Sequence, residues 1–146
     1  MPMEVLAHSP VHIVERRPSV EEFLQLRADA GWRLPPEEVV REALQRTVYS
    51  ICAEKSDGTA IGMGRIVGDG AVQLFITDVI VHSSWRNQGI GTAIVTKLMD
   101  YLNEHAVEGS FVGLFSALGR HGFYERFGFV ARPTGDMGPG MMYRKR

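Results

Sequence analysis

The chain has a single cysteine in 146 residues, so no internal disulfide can form and a secreted, cross-linked framework is excluded. Cys52 lies in an apolar, β-branched stretch from Val48 to Ala53, the setting of a small buried hydrophobe rather than a nucleophile. Long apolar runs are missing as well. None approaches the roughly 20 residues that a helix needs to cross a bilayer, and residues 1–14 lack the basic start and apolar stretch of a signal peptide. A cytoplasmic protein with no membrane partner is the expectation. Excess charge is the third absence. Lys plus Arg number 16 against 17 Asp plus Glu, which gives no whole-molecule field for gathering nucleic acid. The tail Arg144-Lys145-Arg146 is too short to change this. Any anion the chain binds must be held by a local site, and no metal is expected.

What is present is an ordinary globular composition, 45% hydrophobic, at a length typical of one domain spanning 1–146. Such a chain buries roughly 70% of its unfolded surface. No repeat, low-complexity segment or linker interrupts it. Val11 to Arg16 reads as a strand. Ser19 with Glu22 three residues on has the spacing of a capping box, and Val20, Phe23, Leu24 and Leu26 follow at helical intervals up to Gly31. A second helix starts at Pro35-Pro36. The period then shortens: Val48 to Glu54, Ala60 to Val67 and Ala71 to Val81 read as three strands of an antiparallel meander. The strongest helix runs from about Gly89 to His105, with Ile90, Ala93, Ile94, Leu98, Tyr101 and Leu102 on one stripe. Phe111 to Ser116 reads as a strand parallel to 71–81, Gly119 to Phe127 as a short helix, and Phe129 to Arg132 and Met141 to Arg144 as closing strands. The order βααβββαβαββ predicts an α/β (α+β) fold: a mixed, mostly antiparallel central sheet flanked by helices.

The informative stretch runs from Asp78 to Ala93, where a strand enters a loop with Arg86 and Gln88 and then two glycines open the long helix. Free N–H groups at a helix N-terminus attract anions. Gly89 and Gly91 let a phosphate approach the backbone. Arg86 can add a charge-assisted hydrogen bond, and Thr92 another. A P-loop would need four residues between its glycines and a following Gly-Lys-Ser/Thr. A dinucleotide fingerprint would need a third glycine where Ile94 stands, so both nucleotide patterns fail.

Arg86-Asn87-Gln88-Gly89-Ile90-Gly91 resembles motif A of the GNAT superfamily of N-acetyltransferases. Phe123-Tyr124-Glu125-Arg126-Phe127-Gly128-Phe129 looks like its motif B, and with the element order the resemblance covers essentially the whole chain. The closing stretch from Gly128 to Tyr143 is loosely similar to small arylalkylamine and serotonin acetyltransferases. The resemblance implies the acyl-CoA N-acyltransferase fold, acetyl-CoA as co-substrate and direct transfer to an amine in a ternary complex. It implies that Arg86, Asn87, Gln88, Gly89, Ile90, Gly91 and Thr92 hold the pyrophosphate. The pantetheine arm would pair with the backbone of Val79, Ile80 and Val81, whose strand splays from its parallel neighbour. A strand N–H in this region would stabilise the oxyanion. Tyr124 matches a tyrosine that serves many members as general acid near the sulfur; the alternative is a ring packed on the donor. Asp78, expected on the face of Ile76 and Ile80 unless a bulge intervenes, reads as general base or as a structural carboxylate. His82 is chemically suitable, but it ends the strand, where a surface role is simpler. Many members carry Asn or Asp where this chain has Ser116-Ala117, a departure that puts one donor contact in doubt.

Trp32, Tyr49 and Met137, Met141 and Met142 are candidates to line an acceptor pocket, and Asp29 and Glu37 to bind an amine cation. Core packing and helix-terminal charge explain the same residues. Gly62-Met63-Gly64 and Gly68-Asp69-Gly70 are ascribed to hairpin turns. A small-molecule amine is the expected acceptor and a homodimer the expected assembly. The alternatives are a protein or peptide N-acetyltransferase, and a non-catalytic CoA-binding sensor or interaction module.

Overall fold

The computed structural model describes residues 4–5 and 10–146. The elements are β1 (Glu4–Val5), β2 (His12–Glu15), α1 (Val20–Asp29), α2 (Glu37–Gln45), β3 (Tyr49–Glu54), β4 (Ala60–Gly68), β5 (Gln73–Val81), α3 (Ile90–His105), β6 (Phe111–Leu114) and α4 (His121–Glu125). A short 3-10 turn, Ser83–Trp85, lies between β5 and α3. The chain divides into two compact units, residues 1–114 and 115–146.

In the first unit the six strands form one sheet in chain order, every neighbouring pair antiparallel except β5 with β6, which is parallel. The mixed, mostly antiparallel sheet is therefore as expected, and β1 extends it. The capping box also forms: Ser19 Oγ accepts the Glu22 N–H at 3.0 Å, and Glu22 accepts the Ser19 N–H at 2.8 Å. These bonds satisfy donors that a helix start leaves without partners.

The faces of the sheet follow from alternation along β4. Met63 packs with Phe23 and Leu26 of α1, Val40 and Leu44 of α2, and Ile80 of β5. Gly62 and Gly64 point the other way, toward α3. A Cβ on Gly64 would lie 2.8 Å from Ile94 Cγ2 and 2.9 Å from Leu98 Cδ1, and one on Gly62 3.0 Å from Ile94 Cδ1. These two glycines sit in the interior of β4, so the turn explanation is corrected for them: they are there to let α3 approach the sheet. Gly68 and Gly70, at φ 130° and 80°, do belong to the turn before β5. On α3 itself, Ile94, Val95 and Leu98 are fully buried. Truncating such a side chain to Ala typically costs about 2–5 kcal/mol.

The second unit holds α4 and a cluster of rings. Phe123 meets Tyr124 and Phe127 edge to face at centroid distances of 5.0 and 5.5 Å, and Tyr124 meets Phe129 at 6.2 Å. Here the sequence expectation is corrected. Residues 129–132 and 141–144 are irregular rather than stranded. Met141, Met142 and Tyr143 are exposed. Apolar residues favour a strand only where a neighbouring strand and a covered face accept them, and the second unit supplies no strand to pair with.

Candidate functional site

The site is built on β5, whose register with β4 changes once. Met63 pairs with Ile80, but Arg65 pairs with Thr77, so β5 carries one extra residue, a bulge at Asp78–Val79 opposite Gly64. Asp78 adopts φ 55°, a left-handed conformation that a non-glycine residue rarely takes. Its carboxylate secures that conformation. One oxygen accepts from Arg27 Nη1 of α1 at 2.6 Å, the other from Arg65 Nη1 of β4 at 3.0 Å. Arg65 also donates through Nε to Thr47 Oγ1 at 3.3 Å. Both Asp78 and Arg65 are buried, and burial lowers the Arg65 guanidinium from the usual arginine value. Two guanidinium groups around one carboxylate limit the cost of burying these charges.

The bulge changes which backbone groups face β4. Asp69 donates to the Gln73 carbonyl, and bonded pairs recur at every second residue of an antiparallel ladder, so Phe75 and Thr77 face β4. Beyond the bulge His82 donates to the Ile61 carbonyl, so Ile80 is the residue that faces β4. Val79 and Val81 therefore turn their N–H and C=O groups to the opposite edge. On that edge β6 pairs with β5 only from Gln73↔Phe111 to Ile76↔Leu114. Past Ile76, no described strand continues along β5. The pairing of the two parallel strands thus ends before Val79, Ile80 and Val81, the stretch beside which the resemblance implies that they part.

The open edge leads into the loop. His82 Nδ1 accepts the Ser84 N–H at 3.1 Å, which starts the 3-10 turn. Arg86 follows in extended conformation, and Asn87 and Gly89 take positive φ of 63° and 80°. Gly89 is the N-cap of α3 and no side chain caps that helix start. The first N–H groups of α3, from Ile90, Gly91 and Thr92, thus keep their capacity for an anion. Asn87, Gln88, Gly89 and Thr92 are exposed, whereas Ile90 is buried and roots the helix in the core. Arg86 bends back to donate through Nε to the Val81 carbonyl at 3.2 Å.

The other candidates fall into place by their contacts. Asp29 accepts both the N–H and the hydroxyl of Ser83, at 2.8 and 2.7 Å. The Ser83 hydroxyl is the chief reason its carboxyl lies below the usual aspartate value. It is a tie to the loop, so the amine-binding expectation is corrected. Glu37 pairs with Arg41 at 3.0 Å in the first turn of α2, a helix-terminal charge. Tyr49 stacks on Tyr101 of α3 at 4.2 Å and donates its hydroxyl to Glu15, which accounts for it by packing. Trp32 is half exposed under the Arg27 guanidinium, 5.4 Å from the ring centroid. Cys52 is fully buried, and burial pushes its thiol up to about 12, consistent with an inert side chain. In the second unit Tyr124 is half buried, and burial raises its phenol above the ordinary value. Its proton is retained at neutral pH, as an acid requires.

Sequence reasoning missed Arg27 and Arg65. Their partner lies 51 and 13 positions away, and the one available signal was an arginine at an inward position of β4.

Comparison with known proteins agrees with this geometry. The Acetyltransferase (GNAT) family model matches residues 17–129. The uncharacterized N-acetyltransferase ycf52 of Pyropia yezoensis is 28% identical over 120 residues, covering 80% of this chain and 68% of that protein. Serotonin N-acetyltransferase 2, chloroplastic, of Oryza sativa subsp. japonica is 30% identical over 122 residues, covering 82% of this chain but only 60% of its own length. Among solved structures, a probable acetyltransferase from meticillin-resistant Staphylococcus aureus superposes with a TM-score of 0.82 at 28% identity, over 92% of this chain and 99% of that one. The family match spans most of the residues from α1 to the end of the ring cluster, and the fold is shared with a probable acetyltransferase; the chain belongs to the GNAT family of acetyltransferases.

Proposed function

We propose that this chain transfers the acetyl group of acetyl-CoA to the primary amine of a small molecule, by direct attack in a ternary complex. The observation that carries the donor half is the edge of β5, unpaired by β6 beyond Ile76 and continuous with the uncapped start of α3. The family uses acetyl-CoA as its co-substrate. The residues fit that substrate: Val79 offers an outward N–H and C=O and Val81 an outward N–H to a strand-like pantetheine arm, while the Val81 carbonyl accepts from Arg86. Arg86 and the backbone of Asn87, Gln88, Gly89, Ile90, Gly91 and Thr92 offer donors to a diphosphate.

In this reading the outward N–H of the bulge region stabilises the oxyanion as the amine adds to the acetyl carbonyl. Tyr124, which keeps its proton, serves as the acid for the departing thiolate. Asp78 holds the bulge through Arg27 and Arg65, the structural of its two roles. The acceptor must arrive as the neutral amine, since an alkyl ammonium with a pKa near about 10 has no lone pair to attack with. Similarity to a relative named serotonin N-acetyltransferase supports a small amine. A homodimer and a cytoplasmic location belong to the same proposal. The first is supported by exposed Leu118, Val130, Met141 and Tyr143, and sedimentation checks it.

The test is thermal stability with acetyl-CoA, CoA, ATP and NAD in parallel. A ligand at about 100 times its dissociation constant should add roughly 2.7 kcal/mol. Both CoA species are expected to shift the transition; a larger shift with ATP or NAD overturns the reading. A panel of arylalkyl, alkyl and peptide amines with a free-thiol readout then decides the acceptor. Turnover with lysyl or N-terminal peptides alone would replace the small amine by a protein.

A further inference from the structure

The last turn of α1 breaks a local rule. A helix C-terminus carries partial negative charge and favours cations, yet Asp29 is the final residue of α1. Its carboxylate is committed to a loop 54 positions away, with Oδ2 accepting the Ser83 N–H and Oδ1 the Ser83 hydroxyl. The His82 imidazole lies 3.5 Å from Oδ1, and the Arg86 guanidinium 4.0 Å from Oδ2. Ser83 opens the 3-10 turn that runs directly into Arg86 and the start of α3. Arg86 is held at a second point by the Val81 carbonyl. A guanidinium fixed at Nε and steered at Nη2 keeps further N–H donors for a phosphate oxygen. Where a sequence violates a local preference, the compensation usually lies in function.

We propose that Asp29 is a positioning residue for the donor diphosphate, one that anchors the head of the 83–88 loop and orients Arg86 without touching the donor itself. The inference rests on the acetyl-CoA reading given above. It gives α1 a second task besides packing: Arg27 holds the bulge through Asp78, and Asp29, two residues on, holds the loop.

The probe is CoA itself, with affinity read by calorimetry on the full chain. Asp29→Asn and Ser83→Ala are each expected to weaken CoA binding about tenfold, the loss of one charge-assisted bond. The double variant should lose less than the two single losses combined, because the Ser83 hydroxyl contact is common to both. With an amine taken from the panel, the KM for acetyl-CoA should rise by the same factor while kcat at saturation stays within about twofold. A merely structural role would instead lower kcat and thermal stability and leave the CoA dissociation constant alone; that result overturns the proposal. If Asp29→Asn fails to fold, Ser83→Ala, which deletes one exposed hydroxyl, reads the same contact. Failure of the unaltered chain to bind CoA would sink the donor reading instead, so the two failures are distinct.

Discussion

The two stretches that carry the family likeness are built on different principles. Residues 78–92 are fixed from outside. Arg27, Asp29 and Arg65 grip them from distant parts of the sequence, and Ile80 and Ile90 root them in buried core. Residues 123–129 are held within their own unit by neighbouring rings, and none of them is buried. The comparison teaches where each kind of work is done. The donor stretch works through backbone groups, whose directions must be enforced by long-range contacts. The second stretch offers one side chain, Tyr124, whose proton needs only a partly buried setting.

The sharpest way to break this comparison is Asp78→Ala. It strands two guanidinium groups, one of them buried, and should cost about 3–5 kcal/mol of stability by urea unfolding; a loss below about 1 kcal/mol would mean that the clamp does not hold the bulge. Tyr124→Phe should do the reverse, leaving the unfolding curve unchanged and reducing kcat about a hundredfold, the lower range for general acid catalysis. Equal turnover by the two proteins would return Tyr124 to packing. Gly64→Ala presses a methyl against Ile94 and Leu98 and is expected to cost about 1–3 kcal/mol. CoA affinity should fall with it if the position of α3 sets the anion site. The smallest effect concerns the capping box, outside both stretches. The Arg16 guanidinium and two backbone N–H groups outweigh burial and hold the Glu22 carboxyl down, from 4.5 to about 2. Its contribution is therefore full above about pH 4.5 and lost as pH falls toward 2. Glu22→Gln should flatten the stability curve in that window alone.

Local patterns made much of this legible. Ser19 and Glu22 announce α1, the apolar stripe announces α3, and the glycines after Val81 announce the anion loop, because each signal lies within a few residues of its effect. Alternation could not place Asp78, because the bulge puts Ile76 and Ile80 on opposite faces of the sheet, and its partners arrive through the tertiary fold. Asp29 could be placed near a helix end but not paired with Ser83, for the same reason. Gly62 and Gly64 looked like turn residues because nothing in β4 itself reveals how near α3 comes. The closing strands failed at 129–132 and 141–144 because apolar residues state a preference for burial, and only a neighbouring strand can grant it.

The bulge at Asp78 has a consequence for which changes this chain can tolerate. It shifts the phase of β5 by one residue, so that odd-numbered positions serve β4 before it and the free edge after it. What evolution must keep is therefore the direction of the peptide units beyond the bulge. Side chains at Val79 and Val81 can be exchanged while their amides stay where they are. Straightening the strand at 78 with no residue removed would return both amides to β4 and leave the free edge with the wrong comb of donors and acceptors. A lineage of such enzymes should drift freely in letters at Val79 and Val81 and hardly at all at Asp78, which holds the bulge.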